Sequence, residues 1–281
     1  MEEVARVVSM RAIPVNGVEL NVAVEGHGPA IVLLHGFPHT WEVWQPIIPA
    51  LATHRTVIAP DLRGFGGSSR PATGYTAADV ATDVLQMLDC LDVDRADVVA
   101  MDLGTPVAFL MALTHPERLR RLVLMESLVG PLPGAEEFLR AGPPWWFGFH
   151  AVPGFAETVL SGNASTYIEF FHRAGTLGDG VTPAFHAAAT AAFGTTDSLR
   201  AAFEHYRAFP ESGRQILAAV AQVRLTVPTL TIGSSPVGDA TFRQLEPIAD
   251  SLTGVVLENT GHIIAQHRPD ELLSALNDFL R

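Results

Sequence analysis

The sequence predicts an α/β protein built on a doubly wound, mostly parallel sheet. Three observations predict it. Short, uniformly apolar runs recur along the chain, helical patterns alternate with several of them, and one such run breaks off at a lone carboxylate that opens the next helical pattern. Runs this uniformly apolar suit strands covered on both faces. Their alternation with helices argues for parallel pairing.

The elements can be taken in order. Val4 to Ile13 and Val18 to Val24 flank Asn16-Gly17, a strong signal for a tight hairpin turn. Ile31 to Leu34 and Thr56 to Ala59 are the next strand-like runs, and Val80, Val84, Leu88 and Leu91 then recur at helical spacing. Val98 to Met101 is followed by a helical pattern with Pro106 in its first turn, where a missing N–H costs little. Leu122 to Met125 completes this part. Between Gly130 and Pro210 strand runs vanish, and Trp145, Trp146, Phe147, Phe149, Phe155, Phe170 and Phe171 make the segment dense in aromatics. Thr229 to Ile232 and Val255 to Leu257 restore the strand pattern.

Composition narrows the function. At 281 residues the chain is long enough for a large core, as one big α/β domain or a domain with an insertion. The net charge of −12, without a Lys/Arg cluster, argues against nucleic acid as a partner. Cys90 is the only cysteine, so no intrachain disulfide can form, and its place in the helical pattern suggests core. Met1-Glu2-Glu3 lacks the basic and apolar regions of a signal peptide, and no apolar run approaches a membrane span. A cytoplasmic protein without a membrane partner is the expectation.

The chemistry centres on Asp102. In Val98-Val99-Ala100-Met101-Asp102-Leu103-Gly104-Thr105 the strand pattern stops at the Asp, and small residues stand two before and two after it. A tight strand-to-helix corner needs small residues at those places, and it presents its central side chain as a nucleophile. A carboxylate there attacks an alkyl carbon and forms an alkyl-enzyme ester. That points away from acyl transfer and toward epoxide opening or dehalogenation. The plainer reading is an Asp that caps the helix behind it.

Three distant segments supply context. Leu33-Leu34-His35-Gly36-Phe37-Pro38 ends one strand run, Asp61-Leu62-Arg63-Gly64-Phe65-Gly66-Gly67-Ser68 follows the next, and Thr260-Gly261-His262 lies near the C-terminus. With the Asp102 corner these make the chain resemble the α/β-hydrolase superfamily from about residue 5 onward. His-Gly-Phe-Pro, then a nucleophilic Asp, then Gly-His is most similar to the soluble epoxide hydrolases. The resemblance is specific at these motifs and weaker in the middle of the chain.

The resemblance implies an α/β-hydrolase fold with residues 1–129 and 211–281 as core and 130–210 as a helical cap roofing the pocket. Asp102 becomes the nucleophile. His262, whose residue type titrates near neutrality, becomes the base that activates water. The acid that orients it has two possible positions: Glu126, at the end of the Leu122 to Met125 run, or Asp239, beyond the next run. A carboxylate ending a buried strand needs a partner, which favours Glu126. The backbone N–H groups of Phe37 and Leu103 form the oxyanion hole, with a cis bond before Pro38.

The family also supplies cap donors for the epoxide oxygen, and these fall on Tyr206 and Trp146. Trp145, Phe149 and His150, with Phe37, are expected to line the pocket. His35 reads as structural, and neither His35 with His39 nor His262 with His267 has a third ligand for a metal. No cofactor is implied. The expected substrate is a bulky apolar or aromatic epoxide, with water as co-substrate. Haloalkane and fluoroacetate dehalogenases share the Asp ester, but Leu103 lacks the anion-binding side chain they place near the nucleophile. A hydrolase fold that binds ligands without catalysis is the alternative from another class.

Overall fold

A computed structural model describes residues 8–281. The Met1-Glu2-Glu3 terminus and the first residues of the Val4 to Ile13 run lie outside the described residues. The strands are β1 (Ser9–Val15), β2 (Val18–Gly26), β3 (Ala30–Leu34), β4 (Thr56–Pro60), β5 (Ala96–Met101), β6 (Leu119–Met125), β7 (Thr229–Gly233) and β8 (Leu252–Val256). They form one sheet in the order β1-β2-β4-β3-β5-β6-β7-β8. β1 and β2 pair antiparallel through a turn at Asn16 and Gly17, whose φ values of 42° and 75° are those a tight hairpin demands. β2 meets β4 antiparallel, and every pair from β4 to β8 is parallel.

The helices are α1 (Ile48–Leu51), α2 (Ala77–Cys90), α3 (Gly104–Thr114), α4 (Trp145–Ala151), α5 (Phe155–Leu160), α6 (Ala164–Ala174), α7 (Pro183–Ala192), α8 (Thr196–Arg207), α9 (Phe209–Val220), α10 (Ala240–Leu245), α11 (Ile264–His267) and α12 (Pro269–Phe279). Thr76 caps α2 and exchanges hydrogen bonds with Asp79, satisfying N–H groups that the first turn leaves free.

Two cores follow from the two-residue period of the central strands. Val32, Leu34, Val98, Ala100, Leu122 and Leu124 face one side, against α2 and α3. Ile31, Leu33, Val99, Met101, Val123 and Met125 face the other, against Trp44, Ile47 and the Leu272 and Leu276 face of α12. Both sets are fully buried, which is why these strands read as uninterrupted apolar runs.

Two expectations fail for positional reasons. β8 spans Leu252–Val256, earlier than the Val255 to Leu257 run, and it is the edge strand, so Val256 is 48% exposed. Cys90 is exposed rather than core, because it is the last residue of α2, beyond the buried Leu88. Between β6 and β7 the described chain is helical, from α4 to α9. No described helix is long and apolar enough to cross a membrane.

Candidate active site

The carboxyl ends of the parallel strands meet at one place. β3 runs into Phe37, β5 into Asp102, β6 into Glu126 and β7 into Ser234, while His262 lies in the loop after β8. These strands are neighbours in the order β3-β5-β6-β7-β8, so residues far apart in sequence become adjacent. Crevices outside the carboxyl ends of such strands are where open α/β sheets hold ligands.

Asp102 sits at φ 49°, in the left-handed region that non-glycine residues rarely occupy. The corner is held from both sides. Its N–H donates to the Met125 carbonyl at 3.2 Å, and its carbonyl accepts the Thr105 N–H at 3.0 Å. Gly36 must be glycine, since a Cβ there would stand 2.1 Å from Asp102 Oδ1. Gly104 is likewise enclosed, with the His35 carbonyl 2.9 Å from where its Cβ would be. The Phe37 N–H donates to Asp102 Oδ1 at 2.8 Å, and the Phe37–Pro38 bond is cis. The Leu103 N–H finds no acceptor among the described residues.

His262 stands between two carboxylates. Its Nε2 is 3.5 Å from Asp102 Oδ2, and its Nδ1 is 3.2 Å from Glu126 Oε2. Glu126 is also left-handed, at φ 52°, and its side chain is fully buried. Its other oxygen accepts the Ser234 N–H at 2.5 Å, so both ends of the buried carboxylate are partnered. Burial alone would push the His262 imidazole down. Hydrogen bonds and charge from Asp102 and then Glu126 outweigh it, and the imidazole is pushed up to about 10. Asp239, the alternative acid, is exposed at the start of α10 and pairs with Arg243 at 2.9 Å, away from His262. His35 is buried and accepts the Leu62 N–H at 3.0 Å, fixing the loop after β4.

A cavity of about 670 Å³ opens above these groups, and Asp102, Glu126 and His262 all reach it. Its walls are mainly apolar, from Phe37, Leu103, Trp146, Phe147, Phe171 and Phe209 among others. Of the expected wall residues, Trp145, Phe149 and His150 stand outside this lining. Trp145 and Phe149 lie on the outer face of α4, with Trp145 55% exposed, and His150 is buried behind the wall. The inner positions Trp146 and Phe147 take their place. Phe147, which sequence reasoning left out of the site, packs 5.7 Å from Tyr206.

Tyr206 projects from α8 into the cavity, and its hydroxyl has no hydrogen-bond partner among the described residues. Burial first, and then the charge of Asp102, holds this phenol well above its ordinary value. The residue packed against it is His150, with ring centroids 4.4 Å apart, rather than Trp146, whose nearest ring neighbours include Phe171 at 5.4 Å. Trp146 and His150 are one turn apart on α4 and share a face. The deeper position meets Tyr206, and the shallower forms the wall. His150 Nε2 is 2.7 Å from the Tyr167 hydroxyl, and its Nδ1 is buried without a partner. Burial pushes His150 down to about 3, so the ring is neutral.

Strand order, left-handed corner and aligned carboxylate–histidine–carboxylate set define a hydrolase-type α/β protein. Residues 29–234 match the model of the alpha/beta hydrolase fold family, and the chain belongs to that family. It is 29% identical to a soluble epoxide hydrolase from Corynebacterium sp. over 94% of each chain. It is 28% identical to epoxide hydrolase A of Mycobacterium tuberculosis over 96% of each. A fluoroacetate dehalogenase from Burkholderia sp. is 33% identical over 62% of this chain and 60% of its own length. Among solved structures, the epoxide hydrolase CorEH superposes with TM-score 0.86 at 27% identity, covering 98% of this chain and 100% of that one.

Proposed function

We propose that this chain is an epoxide hydrolase that opens its substrate through an ester on Asp102 and then hydrolyses the ester to a vicinal diol. The observation that carries this reading is an Asp at the strand-to-helix corner, with His262 on one side and an unpartnered Tyr206 hydroxyl in the same cavity. Epoxide hydrolases are also the relatives it resembles over nearly its whole length.

In the first step an Asp102 oxygen attacks an epoxide carbon and the ring C–O bond breaks. The departing oxygen takes the Tyr206 proton. A phenol held well above its ordinary value keeps that proton until a strongly basic alkoxide develops. The second hydrogen bond to this oxygen is assigned to the Trp146 indole N–H, which lines the same cavity, while the His150–Tyr167 pair behind the wall positions Tyr206. Esterification removes the Asp102 charge, and with it a principal reason for the raised His262 value. His262 then gives up its proton, which makes good the one Tyr206 supplied, and becomes a neutral base oriented by Glu126.

In the second step His262 takes a proton from water, and the hydroxide attacks the ester carbonyl carbon. The oxyanion is held by the Phe37 and Leu103 N–H groups. On collapse the ester C–O bond breaks, the departing diol oxygen takes the proton of the added hydroxyl, and the Asp102 carboxylate is restored. No step calls for a cofactor.

The apolar cavity suits a bulky, apolar or aromatic epoxide. Residues 130–210 serve as the cap, and the site of action is cytoplasmic. Dehalogenation has less support, because the Leu103 side chain on the cavity wall offers nothing to a leaving halide. Incubation with a chromogenic aryl epoxide and, separately, with haloalkanes and fluoroacetate tests the reading. Diol without halide release supports it. Halide release without diol overturns it.

A further inference from the structure

The loop that carries His262 is itself held by a second histidine. Nδ1 of His267, at the end of α11, accepts the Gly261 N–H at 2.9 Å. That leaves the proton of the neutral ring on Nε2, which lies 3.0 Å from Asp179 Oδ2 in the turn after α6. His267 is buried, although the Asp179 side chain is 64% exposed. The turn is fixed in its own right, because the Gly180 N–H donates to Thr176 Oγ1 at 2.7 Å. On the other side of His262, the Ile263 N–H donates to the Gly175 carbonyl at 2.9 Å. Gly261 lies against the same carbonyl, so closely that a Cβ there would stand 2.3 Å from it. The backbone before and after His262 is therefore tied to residues 175–179.

We infer that His267 is a positioning residue for His262, with Asp179 fixing its tautomer. The neutral Nε2–H ring presents an acceptor to Gly261 and so sets the loop at the height where His262 spans Asp102 and Glu126. His267 and Asp179 stand outside the cavity lining, so they act only through the loop. The inference rests on the reading of His262 as the base of the second step. Because the oriented residue acts as base only in that step, loss of His267 slows ester hydrolysis and leaves ester formation in place. A misplacement of about 1 Å in a reacting group costs up to roughly a hundredfold in rate.

The test uses His267→Ala, His267→Asn and Asp179→Ala. The first readout is the low-field proton resonance of His262 Nδ1–H in the ligand-free protein, which needs no substrate and is independent of the proposed reaction. The expected result is loss or broadening in His267→Ala, recovery in His267→Asn, whose amide oxygen can accept from Gly261, and a smaller change in Asp179→Ala. The second readout is rapid-quench kinetics with an epoxide. Ester formation should hold within about twofold, while ester breakdown falls about tenfold or more in His267→Ala and recovers in His267→Asn. An unchanged resonance in both His267→Ala and Asp179→Ala overturns the inference, as does an equal loss in both kinetic steps. Absence of any turnover in the parent protein counts against the proposed reaction alone, and the resonance still decides the role of His267.

Discussion

Nδ1 of His262 lies 3.2 Å from Oε2 of Glu126, across 136 positions of sequence, because β6 and the loop after β8 end at the same edge of the sheet. Glu126 spends its other oxygen on the Ser234 N–H, so the carboxylate cannot turn away from the imidazole without leaving a buried donor unpaired. Glu126→Gln keeps the shape and removes the charge that stabilises protonated His262. Ester hydrolysis should slow by on the order of 10²-fold or more, whereas Asp239→Asn, remote from His262, should change it by less than about twofold. Stopped-flow comparison of the two variants checks this, and the reverse ranking would restore Asp239 as the orienting acid.

The His262 imidazole should titrate near 10 in the resting protein, with Asp102 the first cause of the rise. Asp102→Asn removes that charge and should lower the value, which NMR titration of the ring protons measures directly. The sign for stability follows. A folded-state value raised from 6.5 to about 10 stabilises the fold fully below 6.5, and the contribution is lost as pH rises through about 10. The melting-temperature difference between the parent and His262→Gln should shrink over that window. A difference that grows with pH would contradict the ion pair.

Replacing the base should separate the two steps. His262→Gln leaves Asp102 free to attack, so the ester should form and accumulate. Mass spectrometry of the denatured protein after exposure to a slow epoxide should show a peptide containing Asp102 heavier by one substrate. If no adduct appears and turnover is also lost, His262 acts before the ester forms.

The groups holding the epoxide oxygen should rank by geometry. Tyr206→Phe removes the group that both donates and transfers a proton, and should cost the first step roughly a hundredfold or more. His150→Phe and Tyr167→Phe should cost less than Tyr206→Phe, because His150 packs on Tyr206 from behind the cavity wall, and Trp146→Phe should also cost less, because an indole donates without transferring a proton. Rapid-quench measurement of ester formation decides the order. A larger loss in Trp146→Phe than in Tyr206→Phe would make the indole the principal donor, and an unchanged rate would leave it as wall.

The legible parts of the sequence were those where a local physical constraint leaves a local trace. Strands covered on both faces, such as Val98 to Met101, must be apolar at every position, and Gly36 and Gly104 are fixed by contact with the corner itself. β8 starts ahead of its apolar run because an edge strand lacks that constraint. The choice between Glu126 and Asp239 depends on a distance across the fold, which neither neighbourhood records. Trp146 and His150 stand one turn apart on the same face of α4, so periodicity alone does not say which reaches deeper. The His267–Asp179 link left no motif, since each residue is individually ordinary and only the loop's return past α6 joins them.

The nucleophilic role of Asp102 is tested most directly by a single turnover in water enriched in heavy oxygen, with enzyme in excess over epoxide. Water enters only at the ester carbonyl carbon. The label should therefore appear in the carboxylate of Asp102, found by peptide mass spectrometry, while the diol from that turnover stays unlabelled. Label in the diol with none in the Asp102 peptide would mean that water attacks the epoxide itself, and the covalent route would be wrong.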